Sequence, residues 1–203
     1  MDADQPIVQT ILKYTAPGSD QRNDLQIEQV SFSPRGGQLS AMAIAAVLEQ
    51  SYGRGKVSLK SADPHDGPIT EQRFLEDERD LKRLLGCFRD TIAFTQAKPL
   101  SDLIDEVIFP NIDRGLDDET LTGLLRRFAA SGFHPCGTVK MGPASDPSAV
   151  VDQFGRAHAV EGLVVADASI MPTVPRANTN LTSIMIGEMV GEWIRTEGGK
   201  YGL

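Results

Sequence analysis

Gly162-Leu-Val-Val-Ala-Asp-Ala-Ser-Ile-Met-Pro172 carries the strongest fold signal in this chain. Its first five residues form a compact apolar run, which is typical of a strand buried on both faces. A loop from Pro172 to Pro175 follows, and a helix is predicted from about Thr179 to Thr196. Its apolar residues recur at helical spacing: Ile186, Met189, Val190, Trp193 and Ile194. Strand, loop and helix in this order build nucleotide-binding α/β sheets, whose ligands lie at the carboxyl ends of the strands.

The preceding residues predict strands and helices, but no parallel partners for the strand at 162–166. Residues 25–30 and 56–60 alternate apolar and polar side chains, which indicates half-buried strands. Residues 76–97 carry apolar side chains at helical spacing, and residues 117–130 begin with two aspartates that suit a helix start. The chain is therefore predicted to be of the α+β class.

Composition and charge limit the classes of function. The 203 residues include 28 acidic and 20 basic side chains, and the net charge of −8 disfavours binding to nucleic acid. Since no apolar run approaches the roughly 18 to 20 residues that cross a bilayer, no transmembrane segment is expected. The first residues lack the features of a signal peptide. Cys87 and Cys136 are expected to be free thiols in a reducing cytoplasm.

Two of the three histidines are predicted to have structural surroundings. His65 lies in Asp63-Pro-His-Asp-Gly67, a turn composition, and is expected to be a solvated loop residue. His158 lies just before the apolar run at 162–166. A structural or backbone-contact role is favoured there over proton transfer.

His134 has more unusual neighbours, within Phe133-His-Pro-Cys-Gly-Thr-Val-Lys-Met-Gly142. Pro135 and Gly137 fix or permit unusual backbone geometry around it. From these residues alone, both a structural and a catalytic role stay open, and the structural role is the commoner one. The spacing of His, Cys and acidic residues matches no metal motif, so no metal site is expected. No GxSxG elbow is present either, which disfavours a serine hydrolase.

Asp167 and residues 178–180 form a second polar group. Asp167 falls at the end of the predicted strand, and Asn178, Thr179 and Asn180 fall at the start of the last helix. These side chains could cap free backbone N–H groups. Alternatively, the helix N-terminus could hold an electron-rich ligand while Asn178 orients a substrate oxygen. The residues themselves favour the capping interpretation and the ligand-binding interpretation equally.

Several motifs together resemble the C-terminal region of the glucose-methanol-choline (GMC) oxidoreductases. The resemblance is carried by residues 133–142, Val150-Val-Asp152, residues 162–172 and Asn178-Thr-Asn180. Four upstream segments occur in the family's order: Tyr14-Thr-Ala-Pro-Gly18, Asp24-Leu-Gln-Ile27, Gly55-Lys-Val-Ser-Leu-Lys-Ser-Ala-Asp-Pro64 and Asp77-Glu-Arg-Asp-Leu81. The match spans roughly residues 10–197.

The resemblance implies oxidation of an alcohol with FAD as the cofactor. It implies a catalytic pair beside the flavin, with His134 as the histidine and Asn178 as its partner. It also implies that Asp167, Ala168, Thr179 and Asn180 lie against the cofactor. A flavin-containing lyase that splits cyanohydrins and a non-catalytic remnant are the alternative functions.

The chain departs from the family in one respect, since it contains no GxGxxG phosphate-binding motif. Gly53-Arg-Gly55 lacks the third glycine and precedes a predicted strand. The expected organisation is therefore part of a substrate-binding domain at 1–160, with an antiparallel sheet and flanking helices. Residues 161–203 are expected to be a strand, loop and helix of the FAD-binding domain. The expected partners are FAD, a small alcohol and an N-terminal FAD-binding part, which could be a separate polypeptide.

Overall fold

The computed structural model describes residues 8–32, 41–111 and 116–202. They form an α+β protein with antiparallel sheets, as the sequence predicts. The chain divides into two compact units: residues 1–54 with 73–129, and residues 55–72 with 130–203. The predicted domain boundary at 160/161 stays a prediction.

The first unit contains a three-stranded sheet. Its strands are β1 (Val8–Tyr14), β2 (Leu25–Phe32) and β3 (Ala41–Leu48), antiparallel and in the order β1-β2-β3. In the central strand, Leu25 and Ile27 are 1% and 5% exposed, and Leu25 lies opposite Leu48. The predicted strand at 25–30 is confirmed, although its start is buried on both faces, since Gln26 between the two apolar residues is 2% exposed.

Two helices complete the first unit. Helix α1 (Glu78–Gln96) begins after Asp77, whose side chain accepts the backbone N–H of Arg79. Helix α2 (Asp118–Phe128) begins after Asp117, which caps it in the same way. Both predicted helices are confirmed to within two residues at each end. The core combines side chains of the sheet and both helices, among them Leu25, Ile27, Leu81, Leu84, Cys87 and Leu125.

The second unit contains a short two-stranded sheet, β4 (Lys56–Ser58) with β5 (Ile69–Glu71), and helix α3 (Asn180–Thr196). The predicted strand at 56–60 thus forms over three residues, and the predicted last helix is confirmed. Four buried residues make the core of this unit: Val151, Ile170, Met171 and Ile186. Cys87 is a buried thiol, and Cys87 and Cys136 form no disulfide with each other, as expected.

The predicted strand at 162–166 does not form. Only Val164 makes a bridge, to Arg156, and Leu163 is 48% exposed. Residues 155–157 face this run and form two backbone hydrogen bonds with it. The Val165 N–H donates to the Gly155 carbonyl, and the Leu163 carbonyl accepts the Ala157 N–H. A strand buried on both faces needs neighbours on both edges. Within the described ranges the run has one short neighbour, which ends at the left-handed turn of Gly155 (φ 77°).

The apolar face of α3 is covered only in part. Ile186 and Val190 are buried, and the Trp193 ring meets Phe154 edge to face at 5.4 Å. Met189 and Ile194, predicted to belong to the same stripe, are 43% and 37% exposed. Three further apolar side chains near the helix start are exposed: Leu181, Ile184 and Met185. None of the described helices is both long enough and apolar enough to cross a membrane.

A buried ion cluster, here called the Arg83 network, joins α1 to the loops of the first unit. The guanidinium of Arg83 lies 2.7 Å from the Asp24 carboxylate and 2.6 Å from that of Asp80. It also donates to the Gln50 carbonyl at 2.9 Å. Because these three charged residues are at most 8% exposed, each charge depends on the others for compensation.

The loop backbones complete this network. Asp80 accepts the N–H groups of Tyr52 and Gly53 at 2.9 and 2.8 Å. Burial by itself raises the pKa of Asp24, but hydrogen bonds from the Ser19 hydroxyl, the Ala16 N–H and Arg83 outweigh it. The pKa of Asp24 is therefore lowered below its ordinary value. Its contribution to stability is present above an unfolded pKa of about 3.9 and is lost as the pH falls through the folded pKa.

We predict that Arg83→Met destabilises the first unit by about 3–5 kcal/mol, because two buried carboxylates lose their cation. Urea-induced unfolding at neutral pH measures the change. Lys82→Met is the matched control, since it removes an exposed cation from the next position of the same helix. Equal unfolding midpoints for the two variants would contradict a structural role for the Arg83 network.

Candidate active site

His134 follows two residues with left-handed backbone. Gly132 has a φ of 59° and Phe133 a φ of 65°. Left-handed backbone is uncommon for a residue with a side chain, and such strain is concentrated at functional sites. The turn is held by Ser131, whose hydroxyl accepts the Phe133 N–H and whose carbonyl accepts the His134 N–H, both at 3.2 Å. The backbone of this turn therefore fixes the position of the His134 Cα, from which the imidazole extends.

A backbone ladder anchors the residues after His134. Three N–H groups of residues 137–141 donate to three carbonyls of residues 168–170: Gly137 to Ala168 at 3.1 Å, Val139 to Ser169 at 2.9 Å and Met141 to Ile170 at 2.9 Å. Gly137 is left-handed (φ 77°), and a Cβ there would lie 3.2 Å from the Met171 carbonyl oxygen. Glycine thus lets the two segments approach closely at this point.

The imidazole of His134 contacts both residues at the start of α3. Its Nε2 lies 2.7 Å from the amide nitrogen of Asn178. Its Nδ1 lies 3.0 Å from the Thr179 hydroxyl. The two residues predicted as a catalytic pair, 44 positions apart in sequence, are therefore in direct contact. Asn178 is exposed and His134 is half-buried, so the pair is accessible to a ligand.

The start of α3 has the features of a site for an electron-rich group. Thr179, at the N-cap position, makes no side-chain cap, and the first turn carries no acidic residue. The positive end of the helix dipole is therefore not compensated by the helix's own side chains. Asn178 and Asn180 are exposed beside it. These residues fit the electron-rich edge of a flavin, and contact of Thr179 and Asn180 with a cofactor stays a prediction.

Asp167 and Ala168 have local partners. The Asp167 carboxylate caps the single 3-10 turn Ala168–Ile170 by accepting the Ser169 N–H at 2.8 Å. Ala168 packs against the core of the second unit, and its carbonyl accepts from Gly137. These contacts place Ala168 on the ladder that anchors His134 and Asp167 directly before it. Their predicted role in binding the cofactor stays a prediction.

The other histidines have the surroundings that the sequence predicts. His65 is exposed, and its backbone N–H donates to Asp63 in a turn. His158 donates from Nε2 to the Gly142 carbonyl, with 3.0 Å between the two atoms. The contact between Thr179 and His134 is not predicted by any motif. Its sequence signal is only that Thr179 follows Asn178 directly.

Comparison with protein families gives a match over two thirds of the chain. Residues 51–187 match the model described as GMC oxidoreductase. Over 149 residues the chain is 42% identical to an oxygen-dependent choline dehydrogenase of Cronobacter sakazakii. Over 152 residues it is 38% identical to an uncharacterized GMC-type oxidoreductase of Mycobacterium tuberculosis. These alignments cover 72% and 74% of the chain but 26% and 28% of the relatives, so the chain spans about a quarter of their length.

Solved structures share the fold. The chain aligns with pyridoxine 4-oxidase from Mesorbium loti with a TM-score of 0.77 and 21% identity. That alignment covers 93% of the chain and 38% of the oxidase. Formate oxidase from Aspergillus oryzae aligns with a TM-score of 0.74 and 22% identity, over 89% of the chain and 33% of that enzyme. The α+β architecture described above is thus a portion of larger oxidase folds.

We predict that Gly137→Ala destabilises the second unit more than Gly162→Ala does. Both glycines are left-handed, so alanine costs about 1–2 kcal/mol at either position. A Cβ at Gly162 meets nothing within 4 Å, whereas one at Gly137 presses on the Met171 carbonyl and strains the ladder. Urea-induced unfolding of the two variants measures the difference. If both variants lose the same free energy of unfolding, the close approach at Gly137 does not contribute to stability.

Proposed function

Because the chain belongs to the GMC oxidoreductase family, whose members bind FAD, we propose that it supplies the substrate side of an FAD-dependent enzyme that oxidises the CH–OH group of an alcohol. The observation that carries this proposal is the contact of the His134 Nε2 with Asn178 at 2.7 Å. It joins a proton acceptor and a neutral hydrogen-bond donor at an accessible surface. The choline dehydrogenase at 42% identity supports an alcohol as the electron donor.

The proposed chemistry divides between cofactor and chain. Bound FAD would supply the two-electron acceptor for the hydride that leaves the alcohol carbon. The substrate hydroxyl donates to His134 Nε2 in place of Asn178, and His134 takes its proton. Asn178 then donates to the substrate oxygen and holds it during the reaction. A histidine suits the proton transfer because its ordinary pKa of about 6.5 lies near neutral pH.

The proposed cofactor contacts lie on the two segments that flank His134. Ala168 is on the backbone ladder and Asp167 directly precedes it, whereas Thr179 and Asn180 are at the start of α3. Backbone N–H groups at a helix start stabilise negative charge that develops on a bound ring. These four residues are therefore proposed to line the flavin, next to the catalytic pair.

We further propose that an N-terminal FAD-binding part covers α3 and residues 161–166. The exposed Leu181, Ile184 and Met185 support this, because contiguous exposed apolar side chains mark interaction surfaces. The run at 162–166, which among the described residues has a neighbour on one edge only, supports it as well. The length of the relatives leaves ample room for such a part, on the same or a separate polypeptide.

In the FAD-loaded protein, assembled from this chain and its FAD-binding part, we predict that His134→Ala lowers the rate of flavin reduction about 10²–10⁴-fold, since a positioned proton acceptor is lost. Stopped-flow absorbance with a saturating alcohol, choline first, measures the rate. Asn178→Ala should lower this rate less than His134→Ala does, because it removes only a neutral hydrogen bond. Asn178→His should retain part of the activity. His65→Ala, an exposed histidine in a turn, is the control.

An unchanged reduction rate in His134→Ala, with FAD content and fold intact, contradicts the proposed function. A protein that splits a cyanohydrin without bleaching its flavin would instead be a lyase.

We also predict that the 203-residue chain by itself binds FAD weakly or not at all, because it contains no GxGxxG loop to hold the pyrophosphate. Absorbance of the protein peak after gel filtration with FAD measures the bound fraction. Adding a matching FAD-binding part should turn the peak yellow. A stoichiometric yellow complex formed by the chain alone would contradict the proposed division of labour.

A further inference from the structure

Thr179 occupies a helix N-cap position without capping the helix. Its backbone has φ −73° and ψ −10°, and its side chain makes no cap hydrogen bond. Threonine at this position usually accepts a backbone N–H of the first turn. Here the hydroxyl lies 3.0 Å from His134 Nδ1 instead. Since Thr179 is only 7% exposed, its hydroxyl needs a hydrogen-bond partner within the protein, and the imidazole of His134 supplies it.

The two contacts of His134 agree on one tautomer. A neutral imidazole has one N–H and one nitrogen lone pair. The Asn178 amide nitrogen can only donate, so Nε2 at 2.7 Å is the accepting nitrogen. The proton is then on Nδ1, which donates to the Thr179 hydroxyl oxygen. In the opposite tautomer, Nε2 carries a hydrogen, meets the amide hydrogens of Asn178 and cannot accept a proton.

We propose that Thr179 is a positioning residue that holds His134 in the Nδ1–H tautomer and keeps the Nε2 lone pair available. The partner of one imidazole nitrogen determines which form the other nitrogen takes. The inference rests on the proposed function for its consequence, because only a proton acceptor at Nε2 needs this tautomer. The tautomer itself is a property of the chain and can be measured without FAD or substrate.

The helix does not need the Thr179 hydroxyl. The Thr179 carbonyl accepts the Ser183 N–H at 2.9 Å and the Ser183 hydroxyl at 2.8 Å, so the backbone alone begins the helix. Thr179→Val keeps the branched shape and removes only the hydrogen-bonding group. Thr179→Ser keeps the hydroxyl and removes a methyl group. The two variants therefore separate hydrogen bonding from packing.

The test is a long-range ¹H–¹⁵N spectrum of the chain labelled at its three histidines, recorded above about pH 8 so that the rings are neutral. Substituting each histidine in turn assigns the signals. We expect His134 to show a protonated Nδ1 and an unprotonated Nε2. His158 is the internal reference with the opposite pattern, because its Nε2 donates to the Gly142 carbonyl.

In Thr179→Val the population of the Nδ1–H form of His134 should fall below that of the unmodified chain, because only the Asn178 contact still favours it, whereas Thr179→Ser should retain it. The His158 pattern should be unchanged in both variants and reports that the second unit is folded. An Nε2–H pattern for His134 in the unmodified chain overturns the inference. So does an unchanged His134 pattern in Thr179→Val. If that variant does not fold, the unmodified chain and Thr179→Ser still decide, since both must show the Nδ1–H form.

In the FAD-loaded protein, Thr179→Val should slow flavin reduction about 10–100-fold, the usual effect of removing a partner that orients a functional histidine. The KM for the alcohol should stay unchanged, and Thr179→Ser should restore the rate. A full rate in Thr179→Val overturns the positioning role. Failure of the proposed function appears differently, as a full rate in His134→Ala, and leaves the tautomer measurement standing.

Discussion

The backbone ladder between residues 137–141 and 168–170 is the constraint on which the candidate site depends. Its three hydrogen bonds fix the chain directly after His134 against the segment that leads into α3. The left-handed turn at Gly132 and Phe133 fixes the chain directly before it. The chain is thus held by backbone on both sides of His134, and both ring nitrogens contact neighbouring side chains, those of Asn178 and Thr179. These contacts together define one orientation of the imidazole.

The first unit is organised by charge rather than by a ladder. Asp24 and Asp80 lie at the starts of β2 and α1, and Arg83 binds both while the loop at residues 49–54 donates its backbone N–H groups. Such a cluster adds little net stability, yet it is costly to break, because each member is buried and compensates another. It therefore specifies how the loops of this unit join α1. The site and the Arg83 network are separate constraints, each within its own unit.

Local patterns in the sequence predicted the three described α-helices and the strands β2 and β4, because apolar spacing acts within a few residues, but they did not predict β1, β3 or β5. Asp117 starts its helix as expected, and the alternation at 25–30 forms β2. The run at 162–166 was predicted as a strand and is not one, since a strand needs partners that sequence alone does not provide. Motif resemblance predicted His134 and Asn178 as a pair, whereas the hydrogen bond between His134 Nδ1 and the Thr179 hydroxyl depends on a side-chain orientation at a helix start that no local pattern encodes.

His134 Nε2 and Asn178 are proposed to meet the substrate oxygen beside the flavin. The most direct test is a crystal structure of the complete protein with FAD and a non-reacting alcohol analogue. We expect the analogue oxygen within about 2.6–3.2 Å of His134 Nε2 and within hydrogen-bonding distance of the Asn178 amide, on the substrate face of the flavin ring. An analogue oxygen bound beside the flavin but out of reach of both side chains would contradict the account.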